Sequence, residues 1–421
     1  MKKVWIINHY ATPPMYGGLT RHHFLAKYID KNKYDVTLVA ASAIHNSNIN
    51  LITDRKKYIV HNIDGVKYLH VRTCQYNNKI KRIINMLQYY FRTYKVLKRR
   101  IKDGDKPDYI YTSMPHPLSS LLALKLARKF NLPCTVEIRD LWPESIVSYG
   151  VLKRNNPMVK ILYKLEKYIY LHANKLVFTM EGGKDYLKKC TYADKINFNN
   201  VFNINNGVDL DKYYSDLKEF KINDKDLNNK KTFKLVYTGS IRYIYNIRRL
   251  IDVASAINNK NIIFIIYGDG PFLKEYKQHC VDNHIDNIIF KGFVDSKYIP
   301  YILSKADACL LHGEMTDIMQ YGMSTNKSFM YLASGKPIIS TYPNKYDFID
   351  DKCGITVKSD NNKEYIDAVM KIYNLDDKTK DRFRNNSLKL IKEFDYKELS
   401  NKLISLIILW WIEGWKWSKL L

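Results

Sequence analysis

The sequence is poor in the features that mark metal sites, disulfide scaffolds and membrane spans. Its six cysteines are scattered over 421 residues without a C-x-x-C pair, and its eleven histidines show no H-E-x-x-H spacing. It contains no run of about 18 uncharged apolar residues, the length that a spanning helix needs. The apolar run at residues 4–7 is also too short for a signal peptide. We therefore expect a protein of the reducing cytoplasm, with neither a zinc knuckle nor a disulfide framework.

Acidic residues are scarce in the first half of the chain. Residues 1–205 carry 35 Lys and Arg against 14 Asp and Glu, a net charge of +21, whereas residues 206–421 carry 33 against 28, a net charge of +5. A coding bias towards lysine would raise the charge of both halves alike, so the first half is expected to face an anionic partner. A phosphorylated substrate and an acidic membrane surface fit this charge. A nucleic acid is not expected, because no helix-turn-helix, zinc or RNP-type motif is present.

Short apolar runs alternate with helix-like segments along the chain, which is the pattern of parallel α/β domains. The runs lie at residues 4–7, 36–41, 109–111, 134–138, 176–179, 235–238, 262–267, 288–290, 308–311 and 338–340. The Asn- and Lys-rich segment 206–232 separates two sets of runs and predicts a linker. We expect one domain at residues 1–205, a second at 233–395, and a final helix at 396–421.

Ligand sites in parallel sheets lie at the carboxyl ends of the strands, so the loops there contain the candidate residues. Gly17 and Gly18 follow the first strand. Their backbone N–H groups could approach a diphosphate closely, although a plain tight turn explains the pair equally well. His116 ends another predicted strand, either as a site residue or as a surface-loop histidine.

Residues 137–144 place three carboxylates and a guanidinium at one strand end. Asp140 could orient or deprotonate a hydroxyl group, and Arg139 could bind a phosphate through two hydrogen bonds. Glu137 and Glu144 are the other acids of the segment. A salt-bridge network that only stabilises the fold is the alternative interpretation.

A further anion-binding candidate lies at a predicted helix start, where Ser324, Thr325 and Asn326 precede Lys327. Serine and threonine are ordinary N-caps at such a position. Free N–H groups and the Lys327 ammonium would equally form a seat for a diphosphate. The two roles are compatible, because a capped helix start can also bind phosphate.

Several short motifs occur in an order and spacing that resemble glycosyltransferase family 4, in the branch that builds bacterial capsule and O-antigen polysaccharides. They are Asn8-His9-Tyr10 with Gly17-Gly18, residues 137–144, Asn206-Gly207-Val208-Asp209, and residues 237–240, 268–271, 292–294 and 321–339. The resemblance implies the α/β GT-B fold. In that fold two Rossmann-like doubly wound domains face each other across a cleft, and the last helix crosses back to the first domain.

The resemblance also implies a nucleotide-sugar donor and a transfer that retains configuration and uses no metal or other cofactor. The implied donor-binding residues are Gly17, Gly18, Gly239, Ser240, Arg242, Gly268, Phe293, Val294, Ser324, Thr325 and Asn326. The implied catalytic residues are His116, Arg139, Asp140 and Lys327. Glu137 and Glu144 would bind the acceptor.

The sequence departs from this family at five positions. Arg139 stands where many relatives carry a histidine. Gly322 and Met330 stand where relatives often carry two glutamates separated by seven residues, and Met330 cannot usefully accept a hydrogen bond from a ribose hydroxyl. Ser240 and Asn246 stand where an arginine and a lysine are common, so Arg242 or another nearby arginine would have to replace them. An enzyme of low activity or altered donor choice would fit these departures.

Residues 79–102 predict a basic amphipathic helix. The segment contains nine Lys or Arg residues and no acid, and its apolar residues recur at three- and four-residue spacing. It either covers the sheet with its charges in solvent or lies partly on anionic lipid, and different stretches could do each. The Trp-rich C-terminus predicts a second interfacial anchor or an unusual cap on the core.

The leading hypothesis is a peripheral enzyme on the inner face of the plasma membrane. It would move a sugar from a nucleoside-diphosphate sugar, with UDP as the expected nucleotide, to a polyprenyl-diphosphate-linked glycan. A nucleotide-sugar 2-epimerase of the same fold and a non-catalytic partner subunit are the alternatives.

Overall fold

The computed structural model describes the backbone of residues 1–418 and the side chains of residues 1–409. The chain divides into two compact units, one formed by Met1–Asn205 with the segment from Tyr396, and one by Asn206–Asp395. Each unit is built around a largely parallel sheet with helices on both faces. The α/β fold class predicted from the alternating apolar runs is therefore confirmed.

The first unit contains eight strands. They are β1 (Lys2–Ile7), β2 (Tyr34–Ala41), β3 (Tyr58–Ile63), β4 (Val66–Val71), β5 (Tyr109–Ser113), β6 (Cys134–Ile138), β7 (Lys175–Phe178) and β8 (Val201–Asn203). Their order in the sheet is β3-β4-β2-β1-β5-β6-β7-β8. Neighbours are parallel except β3 and β4, which form an antiparallel pair. The central strands β5 and β6 are buried along their whole length, because helices cover both faces.

Six helices belong to the same part of the chain. They are α1 (Arg21–Lys27), α2 (Lys79–Lys102), α3 (Pro117–Phe130), α4 (Glu144–Ser148), α5 (Pro157–His172) and α6 (Gly183–Lys188). Asn78 begins α2 as its N-cap and accepts a hydrogen bond from the Lys81 N–H at 2.9 Å. Because α3 contacts both α2 and α5, these three helices form one layer.

The second unit has six strands, all parallel to their neighbours. They are β9 (Phe233–Thr238), β10 (Ile262–Tyr267), β11 (Ile288–Gly292), β12 (Ala308–Leu311), β13 (Ile338–Ser340) and β14 (Gly354–Thr356), in the order β11-β10-β9-β12-β13-β14. Its helices are α7 (Leu210–Glu219), α8 (Lys225–Asn228), α9 (Ile247–Ala256), α10 (Leu273–Asp282), α11 (Ile299–Lys305), α12 (Asn326–Ser334), α13 (Asn362–Tyr373) and α14 (Asp377–Leu390). Leu235 and Val236 of β9 belong to different hydrophobic clusters, one on each face of the sheet.

Residues 206–232, predicted as a linker, are a packed part of the second unit. They contain α7 and α8, whose Tyr213 and Leu227 are buried in the hydrophobic core. Asp224 and Asp226 bind the Lys291 ammonium of β11 at 2.7 and 2.6 Å. The polar composition of this segment therefore conceals two short helices that dock on the sheet.

The last helix, α15 (Tyr396–Ser418), packs on the first unit. Leu403 and Ile407 are fully buried in a cluster with β1, β2 and α1, and the Ser400 hydroxyl donates to the Leu25 carbonyl at 2.9 Å. The predicted tryptophan anchor, from Trp410 onward, lies beyond the side chains that the structure describes. Within residues 1–418 no helix has both the length and the apolar character that crossing a membrane requires.

Candidate active site

Glu137, at the carboxyl end of β6, is a fully enclosed carboxylate. Arg21 contacts its Oε2 through Nε and a terminal nitrogen, both at 2.9 Å. His22 Nε2 lies 2.8 Å from Oε1, and the Tyr111 hydroxyl donates to Oε2 at 2.7 Å. Burial alone would raise the pKa of Glu137, but Arg21, His22 and Arg139 together outweigh it and hold that pKa well below its usual range. The carboxylate is therefore ionised, and both of its oxygens already accept hydrogen bonds from the protein.

The expectation that Glu137 binds the acceptor is thus wrong, and the alternative of a stabilising salt bridge is right for this residue. Arg21 also donates to the backbone carbonyls of Ile204, at 2.9 Å, and Asn205. The ion pair therefore joins the start of α1 and the end of β6 to the chain that follows β8.

The other charged residues of segment 137–144 differ in whether their charged groups are free to bind a ligand. The Glu144 carboxylate accepts hydrogen bonds from Arg154 and from the Tyr163 hydroxyl, the latter at 2.5 Å, so it braces the loop and does not present free oxygens to an acceptor. Asp140 is exposed. Arg139 Nε is buried and has no hydrogen-bond partner among the described residues. Arg139 and Asp140 thus remain the ligand-binding candidates at this strand end.

Three neighbouring strands of the first sheet end in a cluster of aromatic rings. His9 follows β1, His45 follows β2 and His116 follows β5. His9 Nδ1 lies 2.6 Å from His116 Nε2, and both rings are almost fully buried. The His9 ring stacks between those of Tyr10 and Tyr89, whose centroids are 4.3 and 4.1 Å away. His116 is therefore part of a packed ring cluster at the carboxyl edge of the sheet and not a free surface histidine.

Arg82 of α2 brings a positive charge to this cluster. Its guanidinium carbon lies 5.8 Å from the centroid of the Tyr10 ring, and Tyr10 in turn stacks on His45 with a centroid distance of 4.3 Å. Burial, together with the charges of Arg82 and His45, lowers the pKa of His116 to about 3. His116 is therefore neutral near pH 7, and the permanent charge at the cluster is that of Arg82.

The glycine pair of the first unit lies between β1 and α1. Gly17 and Gly18 have φ angles of +67° and +78°, which residues with a Cβ rarely adopt. A Cβ at Gly17 would meet no atom within 4 Å, so the backbone conformation and not crowding requires glycine there. Both the tight-turn and the anion-binding interpretations remain compatible with this geometry.

In the second unit, backbone hydrogen bonds join three loops at the carboxyl edge of the sheet. The Gly239 N–H donates to the Tyr267 carbonyl at 2.9 Å, and the Gly268 N–H donates to the Gly292 carbonyl at 2.8 Å. A Cβ on Gly268 would come within 1.7 Å of the Gly239 carbonyl oxygen, so a larger residue does not fit. Gly239 and Gly268, predicted to contact the donor, thus hold the loops after β9, β10 and β11 together.

Lys327, in the first turn of α12, lies beside these loops. Its ammonium donates to the Tyr237 hydroxyl at 3.0 Å and lies 3.6 Å from the centroid of the Tyr245 ring. A Cβ on Gly239 would lie 3.3 Å from Lys327 Nζ. Desolvation, which no acidic group opposes within the described part of the chain, lowers the pKa of Lys327 to about 7. This ammonium is the partly buried cation that a negatively charged ligand would stabilise.

The start of α12 is fixed by the Asn206 motif. Asn206 donates its backbone N–H to Ser324 Oγ at 2.7 Å and its side-chain amide to the Ser324 carbonyl at 2.5 Å. Thr325 is the N-cap and accepts a hydrogen bond from the Ser328 N–H at 3.4 Å. The Asn326 side chain is exposed. Ser324 and Thr325 therefore shape the helix start, and Asn326 and Lys327 supply the side chains with which it could bind a ligand.

The remaining donor candidates of the second unit differ in exposure. Arg242 is exposed, and Phe293, just after β11, is 79% exposed. Val294 packs partly against the hydrophobic core, and the Ser240 carbonyl accepts a tyrosine hydroxyl at 3.0 Å. Met330 also packs against the core, so the position at which relatives often carry an acid presents none here.

Several residues of these sites have no counterpart among the sequence predictions, among them His45, Arg82 and Tyr245. His45 could have been found, because it follows a predicted strand. Arg82 and Tyr245 could not, because only the folded chain brings them to Tyr10 and Lys327. No group of three or more His, Cys, Asp or Glu side chains within the described residues could hold a metal ion.

Two family models match the chain. Residues 16–212 match Glycosyltransferase Family 4, and residues 218–390 match Glycosyl transferases group 1. Each of its two units therefore matches the model of a glycosyltransferase domain. The donor and acceptor residues that the motifs imply stay predictions at this level, because the family matches concern whole domains.

Individual relatives are distant. A probable glycosyltransferase, WbjE from Pseudomonas aeruginosa, is 22% identical over 249 residues, which are 58% of this chain and 59% of that protein. The match thus spans less than two thirds of that relative. HepE from Anabaena, solved with UDP-glucose, is 12% identical with a TM-score of 0.65 over 97% of this chain and 99% of that chain. The catalytic domain of starch synthase IV from Arabidopsis thaliana, solved with ADP and acarbose, is 11% identical with a TM-score of 0.66, over 96% and 98%.

The Glu137 ion pair predicts a large effect on the stability of this protein. Glu137→Gln would leave the buried Arg21 guanidinium without its counter-charge, so the free energy of unfolding should fall by about 3–5 kcal/mol. Urea denaturation followed by circular dichroism measures it. Asp103→Asn, which removes an exposed i,i+4 pair with Arg99, is the control and should change stability by less than about 0.5 kcal/mol. Equal effects of the two substitutions would contradict the structural role of Glu137.

Proposed function

We propose that the protein transfers a sugar from a UDP-sugar to a polyprenyl-diphosphate-linked glycan in bacterial surface polysaccharide synthesis. The observation that carries the proposal is the Lys327 ammonium, held against Tyr237 and Tyr245 with no acidic neighbour among the described side chains to lower its energy. A cation in this state, beside glycine loops and a helix start, is suited to bind a diphosphate. UDP is the nucleotide chosen because HepE, which has the same fold, was solved with UDP-glucose.

The proposed transfer needs neither a protein nucleophile nor a metal ion. As the bond between sugar and diphosphate breaks, the departing UDP can accept the proton of the incoming hydroxyl on the same face of the sugar, which retains the configuration. Lys327 and the positive end of the α12 dipole would stabilise the charge that develops on the diphosphate. Arg139 and Asp140, open at the end of β6, would orient the acceptor hydroxyl.

Two alternatives keep the same fold. A 2-epimerase acting on a nucleotide-sugar has no need of lipid, whereas this protein exposes an apolar helix face. A non-catalytic partner subunit would fit Met330, which offers no acceptor where relatives often carry an acid. The alternatives differ in whether a sugar leaves the nucleotide and whether it reaches a second molecule.

The outer side of α2 supports a peripheral position on the inner face of the plasma membrane. Five of its residues recur at three- and four-residue spacing and are 42–73% exposed; they are Ile80, Ile83, Ile84, Leu87 and Phe91. Lys79, Lys81 and Lys95 belong to the same helix, whose C-terminal half is packed in the core. An exposed apolar stripe with basic neighbours is suited to an anionic bilayer surface.

A second exposed apolar group supports the same orientation. Val151, Met158 and Ile161, in α5 and the loop before it, are 70%, 62% and 58% exposed. Because α2 and α5 each lead into a strand of the same parallel sheet, their first turns lie at the carboxyl edge of that sheet. Lys153 and Lys160 accompany this group. We infer that both helix starts touch the bilayer.

Binding of UDP should depend on pH through Lys327. In the free protein the ammonium loses its proton above about pH 7, whereas a bound diphosphate keeps it protonated, so binding takes up a proton at higher pH. The Kd of UDP should therefore rise by up to about tenfold per pH unit between roughly pH 7.5 and 9. Isothermal titration calorimetry in two buffers of different ionisation enthalpy would measure both the Kd and the proton uptake.

Two variants serve as controls for this profile. Lys327→Arg keeps its charge throughout and should bind UDP without this pH dependence. Lys327→Met should bind weakly at every pH. A flat profile in the wild-type protein would remove the diphosphate role of Lys327.

The catalytic proposal is tested with a panel of UDP- and GDP-sugars and a polyprenyl-diphosphate-linked glycan. Sugar should reach the lipid from a UDP-sugar in the presence of EDTA, with the anomeric configuration of the donor. Lys327→Met should reduce turnover about 100-fold or more, as expected when a charge-stabilising group is lost. Strict dependence on Mn²⁺ would contradict the metal-free mechanism. An isomerised nucleotide-sugar would indicate an epimerase, and the absence of any reaction a partner subunit.

The membrane proposal predicts binding to anionic vesicles. Wild-type protein should sediment with vesicles of phosphatidylglycerol and phosphatidylcholine, in a salt-sensitive manner, and should not bind duplex DNA at the same ionic strength. Ile80→Ser and Ile83→Ser together should weaken vesicle binding about tenfold or more, since each side chain loses roughly 1 kcal/mol of apolar burial. Val281→Ser, an equally exposed position in α10, should have no effect. Equal losses in both variants would contradict a role of α2.

A further inference from the structure

Arg82 stands at the border between the two faces of α2. Towards the sheet, the helix presents Asn85 and Tyr89, both fully buried, and Tyr89 stacks on His9. Ile80 and Ile83, on either side of Arg82 in the sequence, are 73% and 57% exposed. Arg82 has the spacing of the inner face, three residues before Asn85 and seven before Tyr89, but its own side chain is exposed. A permanent charge is therefore placed at the rim between a polar cluster and an apolar stripe.

The Arg82 charge is not neutralised by the protein. Within residues 1–409 it forms no salt bridge, and its Nε lies 3.5 Å from the Tyr10 hydroxyl, at the limit of a hydrogen bond. The titratable side chains around Tyr10 include His9, His45 and His116, and the positive charge of Arg82 lowers the pKa of His116. An anion at this rim would gain a guanidinium that has no other counter-charge to give up.

Two further groups beside Arg82 can donate to an anion. His116 uses Nε2 towards His9, and its Nδ1 is buried with no hydrogen-bond partner among the described residues. His116 is also the N-cap of α3, a helix of 14 residues that begins with Pro117, and its side chain makes no capping bond. Pro117 has no N–H and the Ser119 N–H donates to the His116 carbonyl at 3.3 Å, so the N–H groups of Leu118 and Ser120 are the donors left at the positive end of the helix dipole.

We propose that Arg82, His116 and the start of α3 bind the diphosphate of a lipid-linked acceptor, whose hydrocarbon chain lies on the α2 stripe of Ile80, Ile83 and Ile84. The proposal rests on the proposed function for the lipid nature of the acceptor. It differs from the sequence prediction in that Arg82, not Glu137 or Glu144, holds the acceptor. A charged head beside an apolar tail is the shape of an isoprenyl diphosphate, and a single turn of α2 carries the group that suits each part.

The apolar stripe and Arg82 make separable contributions to such binding. The guanidinium would bind the diphosphate whether or not a chain is attached, whereas the isoleucines would bind only the chain. Inorganic pyrophosphate and farnesyl diphosphate, a soluble isoprenyl diphosphate, therefore serve as the two probes. UDP serves as the third, because it also carries a diphosphate but should bind at Lys327.

The experiment is calorimetric titration of the full-length wild-type protein and its variants with the three probes. Farnesyl diphosphate should bind the wild-type protein. Arg82→Gln should raise the Kd of farnesyl diphosphate about tenfold or more, as expected for the loss of a hydrogen bond to a charged group. His116→Gln should raise this Kd to a smaller extent. The double variant Ile80→Ser, Ile83→Ser should bind farnesyl diphosphate more weakly and pyrophosphate with unchanged affinity. Arg99→Gln, at the exposed far end of the same helix, should change the affinity for neither probe.

Several outcomes would overturn the proposal. These are no binding of farnesyl diphosphate to the wild-type protein, equal binding by Arg82→Gln, or competition by UDP together with loss of binding in Lys327→Met. In the last case farnesyl diphosphate and UDP would bind at the same site, beside Lys327. Transfer to a lipid-linked glycan that is unaffected by Arg82→Gln would keep the proposed function and remove this site. Binding of farnesyl diphosphate that depends on Arg82, without transfer from any UDP-sugar, would do the reverse.

Discussion

The buried ion pair between Arg21 and Glu137 is the interaction on which the first unit depends. Glu137 ends β6 and Arg21 begins α1, and the same guanidinium binds the carbonyl groups that follow β8. Three segments that are far apart in the sequence are thereby fixed at one edge of the sheet. Because a buried charge is costly unless its partner is placed accurately, this arrangement permits little movement of the loops after β1 and β6. The ring cluster and the Arg139–Asp140 pair are presented by those two loops.

Charged groups that have no oppositely charged partner in the protein are suited to bind a ligand. The Glu137 carboxylate receives hydrogen bonds from three side chains, so it has no capacity left for a ligand. Lys327 and Arg82 contact tyrosine rings instead, with no acid nearby in the described residues. A cation–π contact stabilises a cation by less than an ion pair in the same place, so an arriving phosphate can still improve its energy. The same reasoning assigns a structural role to one buried charge and a binding role to two partly exposed ones.

The sequence allowed the fold to be predicted well and the sites only in part, for a physical reason. Apolar runs and glycines report burial and backbone conformation, which are local properties, so strands such as β9 and β10 and the loops at Gly239 and Gly268 were predictable. The prediction of a linker at residues 206–232 was wrong because only Tyr213 and Leu227 in this polar segment reveal that its helices pack. The prediction that Glu137 binds the acceptor was wrong because the sequence does not show how many hydrogen-bond donors surround a carboxylate. Arg82 was missed because its neighbour, Tyr10, is 72 positions away.

The two interpretations of α2 also could not be separated from its periodicity. An apolar stripe gives the same pattern whether it faces a protein core or a lipid surface. In the structure the two ends of α2 differ in burial, since Leu97 and Ile101 are buried whereas Ile80 and Ile83 are exposed. The exposed part lies at the carboxyl edge of the sheet, where parallel α/β proteins bind their ligands. A helix that served only to cover the sheet would turn its apolar residues inwards, whereas at this edge α2 exposes Ile80 and Ile83 on its outer side.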